Sequence, residues 1–435
     1  MTGIDASPTP QHGGRFSQLA GLSGKAFFPI GLFARLPLAM LTVGVLTLLT
    51  EVSGSYAIGG FAAGAVGIGS AMGAPVLGFL ADRMGQKPVL VTAALLNAAM
   101  VALLLILAYS TAAVPGGQSA ISQAPVGVLI VAWLGGVSSP QVGPLARVRW
   151  MAMARKVAPN QRDRVLDTAL SYESTADEVT FVLGPALVGL LASLIAPWLP
   201  LALAGALTVA LVIVFALHPS VNAITMQRGG TTTPTLPGVP HERLLWLKVA
   251  VPVLGMVCMG TFFGGTQTAL SAFAGQVAAG SGGAGLAGLL YSLVGLSSAF
   301  VALSVAFWPS RFAPRWRWVA CAALMAGLAW FLLIPQSLPP MIAVLLVLGI
   351  PVGPTMVTIF TIGGLVAPRR WLGTVMTALA SGIVAGTALG ASLAGSLAQS
   401  HGYREAFFVP VLAAGTLLLL GLVTALLVRR PVTRP

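Results

Sequence analysis

The feature that most constrains this chain is the alternation of long apolar runs with short basic clusters. A helix needs about 20 mostly apolar residues to cross a bilayer. Gly, Pro and charge clusters divide the sequence into twelve such runs, labelled α1 to α12 in chain order. They are expected over residues 27–51, 55–80, 87–110, 124–147, 164–196, 198–217, 248–275, 284–309, 318–335, 340–366, 372–399 and 406–428. Composition agrees. Charged residues make up only 8% of the chain and mean hydropathy is +0.92, whereas a soluble domain carries about 25% charge. The expected fold class is therefore an all-α membrane protein with twelve transmembrane helices.

The formal net charge of +13 does not describe a nucleic-acid-binding face, because the basic residues fall in short clusters between apolar runs. With the N-terminus inside the cell, all 23 Lys and Arg except Arg35 and Arg404 fall in segments expected to be cytoplasmic. The largest cluster is Arg147, Arg149, Arg155, Lys156, Arg162 and Arg164. A missed helix would invert this bias downstream, so the distribution supports both the parse and an orientation with both termini cytoplasmic. A multi-pass plasma-membrane protein is expected. Residues 1–24 are polar and the first apolar run is too long for a signal-peptide core, so no cleavable signal is expected.

The chain divides near its middle. RGGTTTPTLPGVPHER (228–243) lies in the widest polar gap and reads as a flexible linker. The expected organisation is an N-terminal tail (1–26), a six-helix bundle (27–217), a linker (218–247), a second six-helix bundle (248–428) and a C-terminal tail (429–435). The bundles repeat in sequence. LGGVSSP (134–140) corresponds to LGIPVGP (348–354), and GPALVGLLA (184–192) to GASLAGSLA (390–398). Order and spacing are kept, as in a parallel internal repeat.

Between α2 and α3 stands GFLADRMGQKPVL (78–90). Gly78 and Gly85 permit a tight turn, Asp82 suits a neighbouring helix N-terminus, and Arg83 and Lys87 face headgroups or an acid. The pattern Gly-x-x-x-Asp-Arg-x-Gly-x-Lys at the second turn of a twelve-helix chain resembles the signature loop of the major facilitator superfamily. Length, 6+6 symmetry and the central linker agree with that resemblance. It implies that Gly78, Asp82, Arg83, Gly85 and Lys87 latch the two bundles together in the outward-facing state. The second copy, SRFAPRW (310–316), lacks the Asp and the Gly, so only the first is expected to latch. In α5, Gly184-Pro185 resembles the antiporter motif of drug–proton exchangers, with the physical content of a kinkable, closely packed helix. Those exporters commonly carry an Arg in α4. Here α4 reads VGVLIVAWLGGVSSPQVGP and has no charge, and α1 carries Arg35 instead.

SYESTADEVTFVLGP (171–185) holds three of the chain's ten acidic residues. Glu173 and Asp177 share a helix face and Glu178 points about 100° away. If α5 starts near Arg164, Asp177 lies about 20 Å along it, at a depth where Arg35 of α1 can form an intramembrane ion pair. The acids are then proton carriers tuned by Arg35. In the other reading, residues 179–196 span alone, and the acids sit at the cytoplasmic rim against the 147–164 cluster. Glu51 is a second candidate proton carrier, although its position at the outer end of α1 fits a cap or rim residue better.

The resemblance places α1, α4, α7 and α10 around a central cavity. Candidate lining residues are Ser138 and Gln141 of α4, Met256, Met259, Phe263 and Gln267 of α7, and Met356 and Phe360 of α10. Methionine and aromatic surfaces adapt to lipophilic solutes, and a few amides and hydroxyls orient them. Glycine stripes at Gly60, Gly64 and Gly67 of α2 and at Gly382, Gly386 and Gly390 of α11 are expected to face each other across the bundles.

The expected activity is secondary active transport, a proton-coupled efflux of small amphipathic or lipophilic compounds, monomeric in the lipid bilayer. A sugar or metabolite effluxer, a lipid carrier or a non-transporting sensor on the same scaffold are the alternatives. No nucleotide-binding loop, nucleophile–base pair or metal-ligand spacing is present in the sequence. No enzyme activity, cofactor or metal is therefore expected. His12, His218, His241 and His401 are isolated, and Cys258 and Cys321 read as packing residues.

Overall fold

The computed structural model describes residues 15–53, 56–110, 126–224, 241–277, 283–309 and 311–427. Most of the expected linker, the first 14 residues and the C-terminal tail lie outside the described residues. Arg228, Arg429, Arg430, Arg434 and His12 lie outside with them. Twelve helices are long and apolar enough to cross a membrane, and no strand occurs among the described residues. They are α1 (Phe27–Ser53), α2 (Tyr56–Met84), α3 (Gln86–Ser110), α4 (Val126–Ala154), α5 (Pro159–Leu194), α6 (Leu199–Leu217), α7 (His241–Val277), α8 (Gly283–Ser304), α9 (Pro314–Leu333), α10 (Leu338–Val366), α11 (Leu372–His401) and α12 (Phe408–Leu427). A surface helix, Arg15–Ser23, precedes them.

Two boundaries depart from expectation and both bear on function. α4 runs to Ala154 and α5 begins at Pro159, so most of the segment read as a basic loop is helix. α5 has 36 residues, or about 54 Å at 1.5 Å per residue. Its acids therefore lie near the helix midpoint rather than at one end.

α1 and α4 are both interrupted, in each case by a proline. α1 is helical over Phe27–Phe33 and Leu36–Ser53, with Ala34 and Arg35 in the turn between. Pro37 cannot donate the next helical hydrogen bond and fits only a first turn. α4 is helical over Val126–Val137 and Val142–Ala154, broken at Ser138–Gln141 around Pro140. The freed Gly135 carbonyl accepts from Asn97 Nδ2 of α3 (2.7 Å) and Ser139 Oγ (3.0 Å). The break is thus satisfied inside protein, as an apolar surrounding demands.

Helices in an apolar medium associate by close packing rather than by a hydrophobic drive, and glycine sets the contacts. In the first six helices, a Cβ on Gly69 or Gly73 of α2 would overlap carbonyls of α4, and one on Gly136 of α4 would overlap the Val66 carbonyl of α2. In the last six, Gly349 and Gly353 of α10 lie in the same way on Val294 and Ser298 of α8. Gly184 of α5 rests on Ala39 of α1. Correspondingly, Gly386 and Gly390 of α11 rest on the Val257 and Thr261 carbonyls of α7, and Gly260 and Gly264 of α7 on Ile383 and Thr387 of α11. The same helix pairs are therefore interlocked in both sets of six, which accounts physically for the repeat seen in sequence.

The glycine stripes do not meet as expected. Gly60, Gly64 and Gly67 have open space beside them, while Gly382, Gly386 and Gly390 face α7. α2 and α11 approach one another lower down, where a Cβ on Gly78 would overlap Thr377 Oγ1 and one on Gly373 would lie 2.6 Å from Asp82 Oδ1. Helix-to-helix distance within a bundle, rather than sliding between bundles, explains the α11 stripe.

Substituting Gly386 by Ala should therefore force α7 and α11 apart, at a cost of about 1–3 kcal/mol. Gly60→Ala should change stability by less than about 0.5 kcal/mol. Thermal unfolding of the two purified variants checks this, and equal midpoints would contradict the interlocked α7–α11 seam.

Candidate functional site

Arg35, released from helical packing at the α1 break, points its guanidinium at α5. Its Nη2 pairs with Glu173 Oε2 and its Nε lies 3.4 Å from Asp177 Oδ1. The ion pair expected from sequence is present, and the acids lie within the protein interior. Glu173 is fully buried, Asp177 is 16% exposed and Glu178 is 8% exposed. The second cation comes from a residue assigned to a loop at the sequence level. Arg147 of α4 is fully buried, pairs with Asp177 Oδ2 at 2.7 Å, and stands over the Phe360 ring with its guanidinium carbon 3.9 Å from the ring centre. The fully buried Trp150 donates from Nε1 to Glu173 Oε1 at 2.6 Å.

The reading of α4 as uncharged is therefore corrected. Arg147, Arg149 and Trp150 lie inside the helix, and Gly143, Arg147 and Trp150 share one face. A Cβ on Gly143 would stand 3.0 Å from Asp177 and 3.1 Å from Arg35, so glycine there lets the charges approach the α4 backbone. Arg149 faces the other way. It donates to Gln86 Oε1 (2.9 Å), the Phe215 carbonyl (2.8 Å) and Ser220 Oγ (3.0 Å), closing the C-terminal end of α6.

Two arginines and two carboxylates make a set with no net charge. A buried charge is tolerated when paired and hydrogen-bonded, and breaking such a pair costs about 3–5 kcal/mol. Glu178, one residue on, stands outside this set. It faces α8, where Ser298 Oγ donates to its Oε1 at 2.6 Å. Its Oε2 is buried without a hydrogen-bond partner, and among the described residues no cation pairs with it. Beside it Thr175 Oγ1 donates to the Ala299 carbonyl at 3.2 Å. Both contacts join the first six helices to the last six.

Further contacts join the two sets of six at the end that carries the Arg- and Lys-rich connections. Asp82 accepts from the backbone N–H groups of Gly373 (2.8 Å) and Thr374 (2.7 Å) and from Thr374 Oγ1 (2.8 Å), at the N-terminal turn of α11. Gly85 turns the chain there with φ +95°, a conformation that favours glycine. Arg83 is exposed and stacks on Phe79 at 4.5 Å, and Lys87 is exposed. On the other side, Arg317 Nη1 pairs with Asp167 Oδ2 at 2.8 Å, both buried, while its Nε donates to the Phe312 carbonyl. The first turn of α9, just past the second copy of the motif (310–316), thus also ties the two sets together. Its acid is supplied by α5 rather than by the motif itself. A Cβ on Gly364 of α10 would overlap the Met151 side chain of α4, so α4 and α10 also touch at this end.

The proposed cavity residues disperse. Phe360 joins the charged set through Arg147, and Met356 is buried nearby on α10. Gln141 is buried and donates to the Ser139 carbonyl, and Ser138 bonds back to Leu134 in its own helix. Met256 packs toward Gly382 of α11 and Met259 is fully buried. Phe263 is half-buried beside Phe262, and Gln267 is exposed. Gly184 seats α5 on α1, and the helix runs unbroken through Pro185. Sequence reasoning missed Gly143, Arg147, Trp150, Asp167, Ser298 and Arg317. For the first three the i, i+4, i+7 spacing was the available signal, obscured because basic residues near a helix end read as a loop.

The sequence matches the Major Facilitator Superfamily over residues 27–382. No curated protein matches it significantly. Among solved structures, the human organic anion transporter MFSD10 (TETRAN) is similar with a TM-score of 0.65 at 16% identity, over 92% of this chain and 99% of that one. A bacterial homologue of the iron transporter ferroportin, in an outward-facing state, gives 0.67 at 15% identity over 92% and 98%. The E. coli fucose:proton symporter FucP gives 0.60 at 16% over 91% and 98%. At these identities the likeness is one of fold, and it agrees with the family match. The chain belongs to the Major Facilitator Superfamily.

Proposed function

We propose that this chain is a proton-coupled exporter of small amphipathic compounds working by alternating access, as in the drug–proton antiporter branch. The observation that carries the reading is the contrast between the neutral Arg35–Glu173–Asp177–Arg147 set and the solitary Glu178. Ionising a buried carboxyl that has no cation costs several kcal/mol, and the group neutralises instead. Glu178 therefore carries the proton, while Glu173 and Asp177 hold α1, α4 and α5 together. Water reaches Glu178 when the α5–α8 seam opens, and the proton leaves then. Substrate binding and proton release are coupled because both depend on how the two sets of six sit against each other.

The distribution of Lys and Arg supports an orientation with both termini and the linker in the cytoplasm, and in this reading the chain works as a monomer in the plasma membrane. In that orientation the end closed by Asp82, Arg317 and the Gly364–Met151 contact is cytoplasmic. Gly78, Asp82, Arg83, Gly85 and Lys87 serve as one latch, Asp167 and Arg317 as a second. Phe360, Met356 and Gln141 line the substrate path beside the charged set, and Gly184-Pro185 lets α5 flex. A second reading, export of an organic anion, is favoured by the buried Nη1 atoms of Arg35 and Arg147, which have no hydrogen-bond partner.

In everted vesicles, adding a transported compound should release protons from the wild type. Glu178→Gln, which keeps shape and hydrogen bonding, should fold normally and lose that release entirely. Retained release in this variant would defeat the proton assignment. A panel of lipophilic cations, neutral compounds and organic anions in the same assay separates the two substrate readings.

Glu173→Gln should instead act on folding. It leaves Arg35 buried and underpaired and should cost about 3–5 kcal/mol, read as a lowered unfolding midpoint in detergent. A wild-type midpoint would contradict the structural role given to Glu173.

Removing either latch should favour opening at the cytoplasmic end. A hydrogen bond to a charged group contributes about 1.5–3 kcal/mol, so Asp82→Ala or Arg317→Gln should raise the open population about tenfold or more. Spin-label distances between the cytoplasmic ends of α5 and α8 read that shift, and unchanged distributions in both variants would refute the latch roles.

A further inference from the structure

The nine-residue helix Arg15–Ser23 precedes α1. Its sequence RFSQLAGLS puts Phe16, Leu19 and Ser23 on one face, three and four residues apart. Leu19 is fully buried there, and Phe16 packs partly buried against the same core. Gly24 ends the helix with φ +84° and donates its N–H to the Ala20 carbonyl at 2.9 Å, a left-handed cap that glycine favours. A helix this short is marginal in isolation, so packing is what holds it. It packs on α5 and the start of α1, and Gln18 Nε2 donates to Gln161 Oε1 of α5 at 2.9 Å. These contacts fix it to the first set of six.

Its N-terminal end reaches the second set. The Phe16 ring centre stands 6.5 Å from that of Phe307, in the turn that follows α8, with the planes tilted by 57°. The Arg15 guanidinium carbon stands 5.0 Å from the same ring centre, a cation–π distance. That turn, Val305–Phe307, itself packs on α5. Trp308, the next residue, faces Arg317 of the Asp167–Arg317 clasp. The helix therefore lies across the line on which α5 parts from α8 if this end opens. Leu19 and Gln18 would stay with the first set, while Phe16 and Arg15 would have to leave Phe307.

We infer that Arg15–Ser23 is a strap across the α5–α8 seam, anchored on the first set by Leu19 and Gln18 and fastened to the second by the contact of Phe16 and Arg15 with Phe307. It holds this end shut in addition to the Asp82 and Asp167–Arg317 clasps. The inference rests on the alternating-access reading, because a strap acts only if the two sets part here. It depends neither on the proton assignment to Glu178 nor on the substrate. Salt screens exposed charges but not ring packing, so the Phe16–Phe307 contact works at any ionic strength.

The test uses the full chain in nanodiscs, with Cys258→Ala and Cys321→Ala and spin labels on cysteines placed at Asn160 and Arg311. Both label sites are exposed, one on each side of the seam. Aromatic pairs and exposed cation–π contacts shift a two-state ratio about two- to tenfold. Phe16→Ala and Phe307→Ala should each raise the open-to-closed ratio by such a factor, at low and high salt alike. Phe307 is 60% exposed, so its replacement leaves the core intact. The double variant should open no further than Phe307→Ala alone, because the two substitutions remove a shared contact. Phe307→Trp, which keeps a ring there, should stay near the wild type. Unchanged distances in both single variants overturn the strap. Fully additive shifts in the double variant also overturn it, since they would mean separate effects on two helices. Asp82→Ala separates this failure from that of the wider reading. If it moves the same labels while the strap variants do not, only the strap falls. If it too leaves them unmoved, the alternating-access reading falls as well.

Discussion

An apolar surround gives a charge nothing to lean on except another part of the protein. The four-charge set formed by Arg35, Glu173, Asp177 and Arg147 answers that constraint, and much of the first six helices is arranged around it. α1 breaks at Arg35, α4 presents Gly143 so that the guanidinium groups can reach Asp177, and Trp150 satisfies the remaining Glu173 oxygen. Phe360 covers one face of Arg147 from α10. Charge neutrality of the set leaves Glu178 as the acid whose protonation is not dictated by a partner.

The rest of the scaffold is held by a different economy, that of backbone contact. Glycines bring α2 to α4, α8 to α10, α1 to α5 and α7 to α11 until carbonyls meet the place of a side chain. These contacts are within each set of six. Between the sets, α2 packs closely along α11 and α5 along α8, and polar contacts mark these and neighbouring seams: Asp82 on the α11 N-terminus, Asp167 with Arg317 and Glu178 with Ser298, with Met151 against Gly364 beside them. Rigid bundles joined by separable polar clasps suit a machine that rocks between two states.

The clasps differ in how readable they were. Asp82 sits in a motif whose resemblance to the family loop implies its role, and an acid just before a tight turn can reach a neighbouring helix N-terminus. Asp167 and Arg317 sit in no shared motif and are 150 residues apart. Arg317 lies in the first turn of α9, just beyond the second copy of the loop motif, and its acid comes from α5. Glycine spacing likewise identified helices that pack closely but not their partners: the α11 stripe meets α7, not α2.

Hydropathy and the placement of Lys and Arg were enough to determine twelve spans, because a bilayer imposes length and polarity on each segment independently, while paired motifs carried the repeat and the loop at 78–90 pointed to the superfamily. The Arg35–Glu173 pair was also within reach, since both residues are charges stranded in apolar runs. What only the tertiary structure decided was which charges are inside. Arg147 and Arg149 look like loop residues next to Arg155 and Lys156, yet the first two are fully buried and the latter two line an open cavity. A local sequence records that a residue is basic. Whether it anchors a core or faces water depends on carboxylates, carbonyls and rings contributed by helices far away in the chain.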